Sequence, residues 1–484
     1  MNELQLAYHG RISSNRKLTS RFFSEPQPWL LVCLLFWISV SGASKGLLPR
    51  VMGYFYLTAS PETYIGLVRE VILLLLLLPI VYRVAVNRLK VQQGFLGWAI
   101  ISFWVVGVIS MLNPDIPGMV AALQGFRGLC LFSIMYFWPL NGGVSSPNQV
   151  RKIVIVILAL ADVGAVFGLI QTVIGEDWYT LFGRTDEMLL SSRIAGTEAI
   201  RAFSIYDNIP AYGLEMGLGA LVAAVMLINA KSRRQTIFAL VSLGLCVSGM
   251  LNAFSKTAFI SFGIVMLLIA SLYGLKRKVI VAVVAGLILA FVIGNQLEES
   301  GSGSISQVWS TLESGSAWEE RLAMWQGHII PLAIENMPLG TGMGSTGYTS
   351  MKYGYPNSWV VVDNFYFAIT LELGLAGLVI FIWLLSKSLL VFMRSRKIFQ
   401  ALGLMDIGGY IFAYLAAIVL YSFSFDVLHI SPVSEKFWLF LGILAWSVAY
   451  AREASPNIKV HESSMTARRG YTGPSLPALA QANR

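Results

Sequence analysis

The chain has 484 residues, of which 56% are hydrophobic and only 13% charged. A soluble protein of this size carries roughly twice that share of charge, so a soluble multidomain enzyme is excluded and a polytopic membrane protein is expected. The net charge of +9 does not imply a nucleic-acid partner, because the Lys and Arg residues are spread over short loops and tails, as positive-inside placement requires.

Residues 1–27, with Arg11, Arg16, Lys17 and Arg21, read as a cytoplasmic tail. The apolar run from Trp29 to Ser41 reads as a start-transfer first helix rather than a signal peptide, since many spans follow. Further spans are expected near 63–82, 94–112, 117–138, 153–174, 209–228, 236–253, 257–274, 279–296, 365–386, 407–424 and 436–451. This is an all-α architecture of about twelve transmembrane helices over residues 28–452, with both ends cytoplasmic. A disordered cytoplasmic tail is expected over 453–484. Loops assigned inside carry basic clusters such as Lys276-Arg277-Lys278. Those assigned outside carry isolated cations, among them Arg201, Lys256, Arg321 and Lys436. No internal repeat of the transporter kind is visible.

Cys33, Cys130 and Cys246 each lie in an apolar stretch and read as small hydrophobes. His9, His328, His429 and His461 show no ligand spacing, so neither a metal nor a cofactor is expected.

The loop between the ninth and tenth spans, 297–364, is far longer than a connector needs to be. Long loops on rigid scaffolds carry function. Outer-side cations are informative because positive-inside placement disfavours them. Arg201 opens the run before the sixth span, Lys256 sits in a very short turn, and Arg321 precedes Trp325 in the long loop. Together they suit a polyanion held near the membrane face, Arg through its fork of donors. Singly, each reads equally well as a snorkelling cation or an ion-pair partner. Arg127 lies inside a span and is either a structural pair or a site contact. Asp363, where the loop meets the tenth span, is the candidate base for a sugar hydroxyl, with a helix N-cap as its structural alternative. Glu372, nine residues on, needs a partner. Gly340, Gly342 and Gly344 follow no strand, which rejects a dinucleotide fingerprint. The loop aromatics, including Trp325, either stack on sugars or pack the loop.

Arg321 with Trp325, Pro338-Leu339-Gly340-x-Gly342-x-Gly344, Asp363-Asn364-x-Tyr366 and Glu372-x-Gly374-x-x-Gly377 together resemble the signature region of the O-antigen ligase/polymerase superfamily. The Arg201 run and Ser255-Lys256-Thr257 extend the resemblance more loosely. The resemblance implies a membrane-embedded, metal-independent, inverting glycosyltransferase of the C type. Its donor would be an undecaprenyl-pyrophosphate-linked oligosaccharide at the periplasmic face of the bacterial inner membrane. Arg201 and Arg321 match arginines that hold the pyrophosphate. Lys256 stands where Arg is common, keeping the charge without the fork. Asn364 and Tyr366 belong to the same motif as Asp363 and are expected, with Lys256, Arg127 and Trp325, to bind the substrate. Ligases that act on lipid A-core typically have His-Asn where this chain has Asp363-Asn364. The resemblance therefore points to a Wzy-type polymerase of O-antigen, capsule or exopolysaccharide units, with a flippase and a chain-length regulator as implied partners. The alternatives are the ligase, a transporter or flippase of lipid-linked sugar, and a structural subunit of an envelope complex. A transporter would line its pathway with central charges, which are sparse here, and would not need the long loop.

Overall fold

The computed structural model describes residues 28–40, 61–87, 90–181, 200–206, 208–274, 316–347, 350, 354 and 362–469. These form an all-helical membrane protein, with no β-sheet among the described residues. In chain order the helices are α1 (Pro28–Ser39), α2 (Pro61–Asn87), α3 (Gly97–Ser110), α4 (Met119–Leu129), α5 (Pro147–Ile174), α6 (Asp177–Leu181), α7 (Ile209–Ile228), α8 (Arg233–Ala253), α9 (Lys256–Tyr273), α10 (Ser316–Met324), α11 (Ile330–Glu335), α12 (Phe365–Ala401), α13 (Met405–Tyr421) and α14 (Val433–Arg469). α4 runs on into a 3-10 segment, Leu131–Tyr136, and a wide turn, Trp325–Ile329, joins α10 to α11.

Among the described residues, five stretches are long and apolar enough to cross a membrane: Met119–Tyr136, Pro147–Ile174, Ile209–Ile228, Arg233–Ala253 and Phe365–Ala401. α1, α3 and α13 are apolar but shorter, as is Thr257–Tyr273 within α9. The helices coincide with the first eight and last three stretches expected from hydropathy. The ninth, 279–296, lies outside the described residues, as do residues 1–27, 297–315 and most of the aromatic segment from Tyr348 to Trp359. α14 continues to Arg469, well into the segment expected as a disordered tail.

Local chemistry sets several helix starts. Ser146, Asn208 and Ser232 each accept a bond from a backbone N–H in the first turn of α5, α7 and α8, at 3.4, 2.8 and 3.3 Å. A proline stands in the first turn of both α5 and α7, as Pro147 directly after its cap and Pro210 one residue later, where the missing N–H costs nothing.

α7 is the central helix, buried along its whole length from Ala211 to Met226. Its small residues let α5, α8, α9 and α13 approach closely. Outward faces stay apolar instead: Ile155 and Val163 on α5, Leu240 and Val241 on α8, Val379 and Ile382 on α12. A water-facing surface would not carry such bands; lipid-facing ones do.

Two charge pairs tie α14 to the rest of the bundle. Lys436, expected as an isolated loop cation, is instead on α14, buried, and bonded to Glu215 of α7. The correction has a physical cause, since a lone ammonium inside the bundle would be costly. Arg69 of α2 bonds Glu435 of α14 at 3.1 Å and lies over the Phe132 ring.

Candidate active site

The site is built on a broken helix. α12 is interrupted at Gly374, whose φ of 67° and ψ of −168° no helix contains. The break frees the carbonyls of Leu371 and Glu372. Unpaired carbonyls inside a membrane protein are expensive, so neighbours must satisfy them. The Thr341 N–H donates to Leu371 O at 2.6 Å. Its hydroxyl donates to the same oxygen at 3.0 Å. The Ser110 hydroxyl donates to Glu372 O at 2.6 Å, and Asn113 Nδ2 reaches Gly340 O at 2.9 Å. The Gly340-x-Gly342-x-Gly344 run is therefore a backbone plug for the break. A side chain at Gly374 would put its Cβ 1.7 Å from Pro338 O, so glycine is required there.

The short helical segment before the break, residues 365–373, is capped by Asn364. Its Oδ1 accepts from the N–H groups of Tyr366 at 2.9 Å and Phe367 at 3.2 Å, while Nδ2 donates to Phe423 O at 3.2 Å. This settles the alternative open for Asp363: its neighbour takes the cap. The Asp363 carboxylate instead faces α10, where Arg321 Nη2 lies 3.5 Å from Oδ2. Burial pushes the Asp363 carboxyl above the usual aspartate range, and the Arg321 guanidinium partly restrains it.

Arg201 comes from a loop anchored beside the end of α8. Ala202 N–H donates to Asn252 O at 2.9 Å, and Arg201 Nε donates to Ala253 O at 3.3 Å. The Tyr179 hydroxyl donates to Arg201 O at 2.9 Å. Two backbone N–H groups, of Phe203 and Ser204, converge on Gln171 Oε1 at 3.0 and 2.7 Å. Arg201 thus stands against the turn that carries Ser255 and Lys256; the Lys256 side chain lies outside what the structure describes. Burial pulls the Arg201 pKa down, Tyr179 opposes this, and the charge of Arg321 lowers it further. The charge of Arg321 thus reaches Arg201. Among the described residues no carboxylate pairs with Arg201. An anion bound by these arginines would offset their charge.

A second cluster adjoins the first. His429, in the loop between α13 and α14, places Nδ1 at 2.7 and 2.8 Å from the two oxygens of Asp426. Its Nε2 lies 3.5 Å from Glu372 Oε2. The Thr346 hydroxyl and N–H hold Glu372 Oε1 at 2.5 and 3.3 Å. Burial raises the Asp426 pKa, the His429 ring opposes this, and the charges of Glu372 and Asp363 push it further up.

The remaining sequence candidates fall outside these contacts. Trp325 is buried, with its ring edge-on to Phe367 at 5.3 Å, and packs α10 against α12. The Tyr366 hydroxyl donates to Val419 O at 3.0 Å. Arg127 bonds Glu70 of α2 and Gln124 of its own helix, and no described contact joins it to Arg321 or Asp363. Sequence reasoning missed His429 and Asp426. Their three-residue spacing in a short polar loop was visible, but the partner Glu372 is distant in sequence. No family model matches the chain, and no characterised protein matches it either.

Proposed function

We propose that this protein is a polysaccharide polymerase, a membrane glycosyltransferase that joins lipid-linked repeat units at the periplasmic face of a bacterial inner membrane. The reading includes about twelve spans with both ends cytoplasmic. One observation carries it: Asp363, released from capping by Asn364, contacts Arg321 at 3.5 Å, and a second arginine, Arg201, lies within the field of the Arg321 charge.

In this reading the growing glycan is attached to undecaprenyl pyrophosphate. Arg201 and Arg321, with Lys256, hold the diphosphate, where negative charge grows as the bond breaks. A hydroxyl of the incoming lipid-linked unit attacks the anomeric carbon with inversion. Its oxygen–carbon bond forms as the anomeric carbon–phosphate oxygen bond breaks. The hydroxyl proton passes to Asp363, whose raised pKa suits it to receive a proton. Undecaprenyl pyrophosphate departs. Asn364 fixes the backbone that presents Asp363, while Tyr366 and Trp325 pack the same helix start.

The test uses purified protein in lipid nanodiscs, lipid-linked repeat units, and buffer with chelator. A ladder of longer glycans is the expected product. Transfer only to added lipid A-core would replace the polymerase reading with the ligase one. Movement of lipid-linked sugar between leaflets without any new glycosidic bond would replace it with a transporter.

A further inference from the structure

We propose that a protonated His429 is the clamp that holds the Asp363-bearing helical segment in place, which makes it a positioning residue of the candidate site; the proposal rests on the reading of Asp363 as the base. A neutral imidazole has one N–H to donate. Here both ring nitrogens face carboxylates: Nδ1 lies against Asp426 at 2.7 Å and Nε2 against Glu372 at 3.5 Å. Only the imidazolium offers a donor to each.

Glu372 makes that charge necessary. Its side chain is fully buried. Oε1 is satisfied by Thr346, but Oε2 is buried without a hydrogen bond. Among the described residues its counter-charge is His429. A buried carboxylate that loses its cation is strongly destabilised.

Glu372 lies near one end of the short helical segment that stops at Gly374, and Asp363 directly precedes the Asn364 cap at its other end. What grips Glu372 therefore steadies Asp363. The same loop that carries His429 also accepts bonds from that segment: Phe365 N–H to Ser422 O at 2.8 Å and Asn364 Nδ2 to Phe423 O at 3.2 Å. The titratable groups that act on the ring are Asp426 on its own loop and Glu372 on α12; Asp363, just before α12, adds its charge at Asp426, and Cys130, just past α4, lies within the field of Glu372. Burial disfavours the charged ring, but Asp426 and Glu372 outweigh it and hold the His429 pKa well above the usual histidine value. As pH rises through that value, the ring loses its proton and the two carboxylates lose their common cation.

The test is a pH titration by NMR of protein labelled with nitrogen-15 in its four histidines, in nanodiscs and without glycan. One resonance, absent from His429→Gln, should keep both ring protons at least about tenfold more tightly than a free histidine. Glu372→Gln should weaken that hold, and so provides a second reading if His429→Gln folds poorly. A His429 resonance that titrates like free histidine, or one unmoved by Glu372→Gln, overturns the proposal. In the glycan assay, His429→Gln should lower kcat about tenfold with KM little changed, and His429→Lys should recover most of it. Unchanged kcat in His429→Gln, beside an active wild type, sinks the positioning role alone. A wild type that makes no glycan sinks the polymerase reading alone, and the NMR result still decides the clamp.

Discussion

Arg321 and Asp363, 42 residues apart in sequence, face each other at 3.5 Å across the start of α12. The pair is half-exposed, with side-chain exposures of 33% and 43%, so water screens it and its worth to folding is small. A contact that does little for stability and still joins a cation to a carboxylate above its usual pKa is better placed to serve a ligand. Three consequences concern this region, and a fourth tests the bundle beneath it.

Removing Arg321 takes away charge where the leaving diphosphate becomes more negative. Arg321→Ala and Arg201→Ala are each expected to slow glycan transfer about a hundredfold to a thousandfold. Arg321→Lys should lose less, because charge remains while the planar fork is lost. Initial rates of ladder formation measure this. A rate within threefold of wild type for Arg321→Ala would rule out the diphosphate role.

Asp363 and Asn364 separate chemistry from capping. Asp363→Asn should lower kcat by about a hundredfold or more with a near-normal melting temperature. Asn364→Ala should cost about 1 kcal/mol of stability by loss of the cap. Since burial raises the Asp363 pKa, the acid limb of kcat/KM should lie above the usual aspartate value of about 3.9, with activity lost as pH falls through it. The residual activity of Asp363→Asn should lack that limb. A limb that survives the substitution would assign the titration to another group.

Gly374→Ala tests the helix break. The added methyl carbon meets Pro338 O at 1.7 Å, and the residue's φ is 67°. Its combination of φ and ψ, essentially restricted to glycine, costs about 1–3 kcal/mol with any side chain, and the clash adds to it. The expected result is a large fall in thermal stability, or failure to accumulate in the membrane. A variant as stable as wild type would mean that the loop 338–344 does not plug the break.

The Lys436–Glu215 pair is buried, at 1% and 2% exposure. Lys436→Met alone strands a carboxylate and should cost about 3–5 kcal/mol, whereas Lys436→Met with Glu215→Met should recover most of that loss. A double-mutant cycle on thermal unfolding measures the coupling. Additive losses would show that the two groups do not act as a pair.

Hydropathy alone determined that this chain is an all-helical membrane protein and where its apolar helices lie, but it missed the extensions of α12 to Ala401 and of α14 to Arg469 and the short helices α6, α10 and α11. That signal is local, because each apolar stretch is selected by the bilayer whatever its neighbours are. The motif residues Arg321, Asp363, Asn364, Glu372 and Gly374 were also legible as a group. What they do was not. Tertiary structure decided that Asn364 is the cap, that Asp363 turns to Arg321, and that the glycine run plugs a broken helix. It also decided that Glu372 is partnered by His429, and Lys436 by Glu215. A buried charge needs a counter-charge from elsewhere in the chain, and which element supplies it depends on packing rather than on any local pattern.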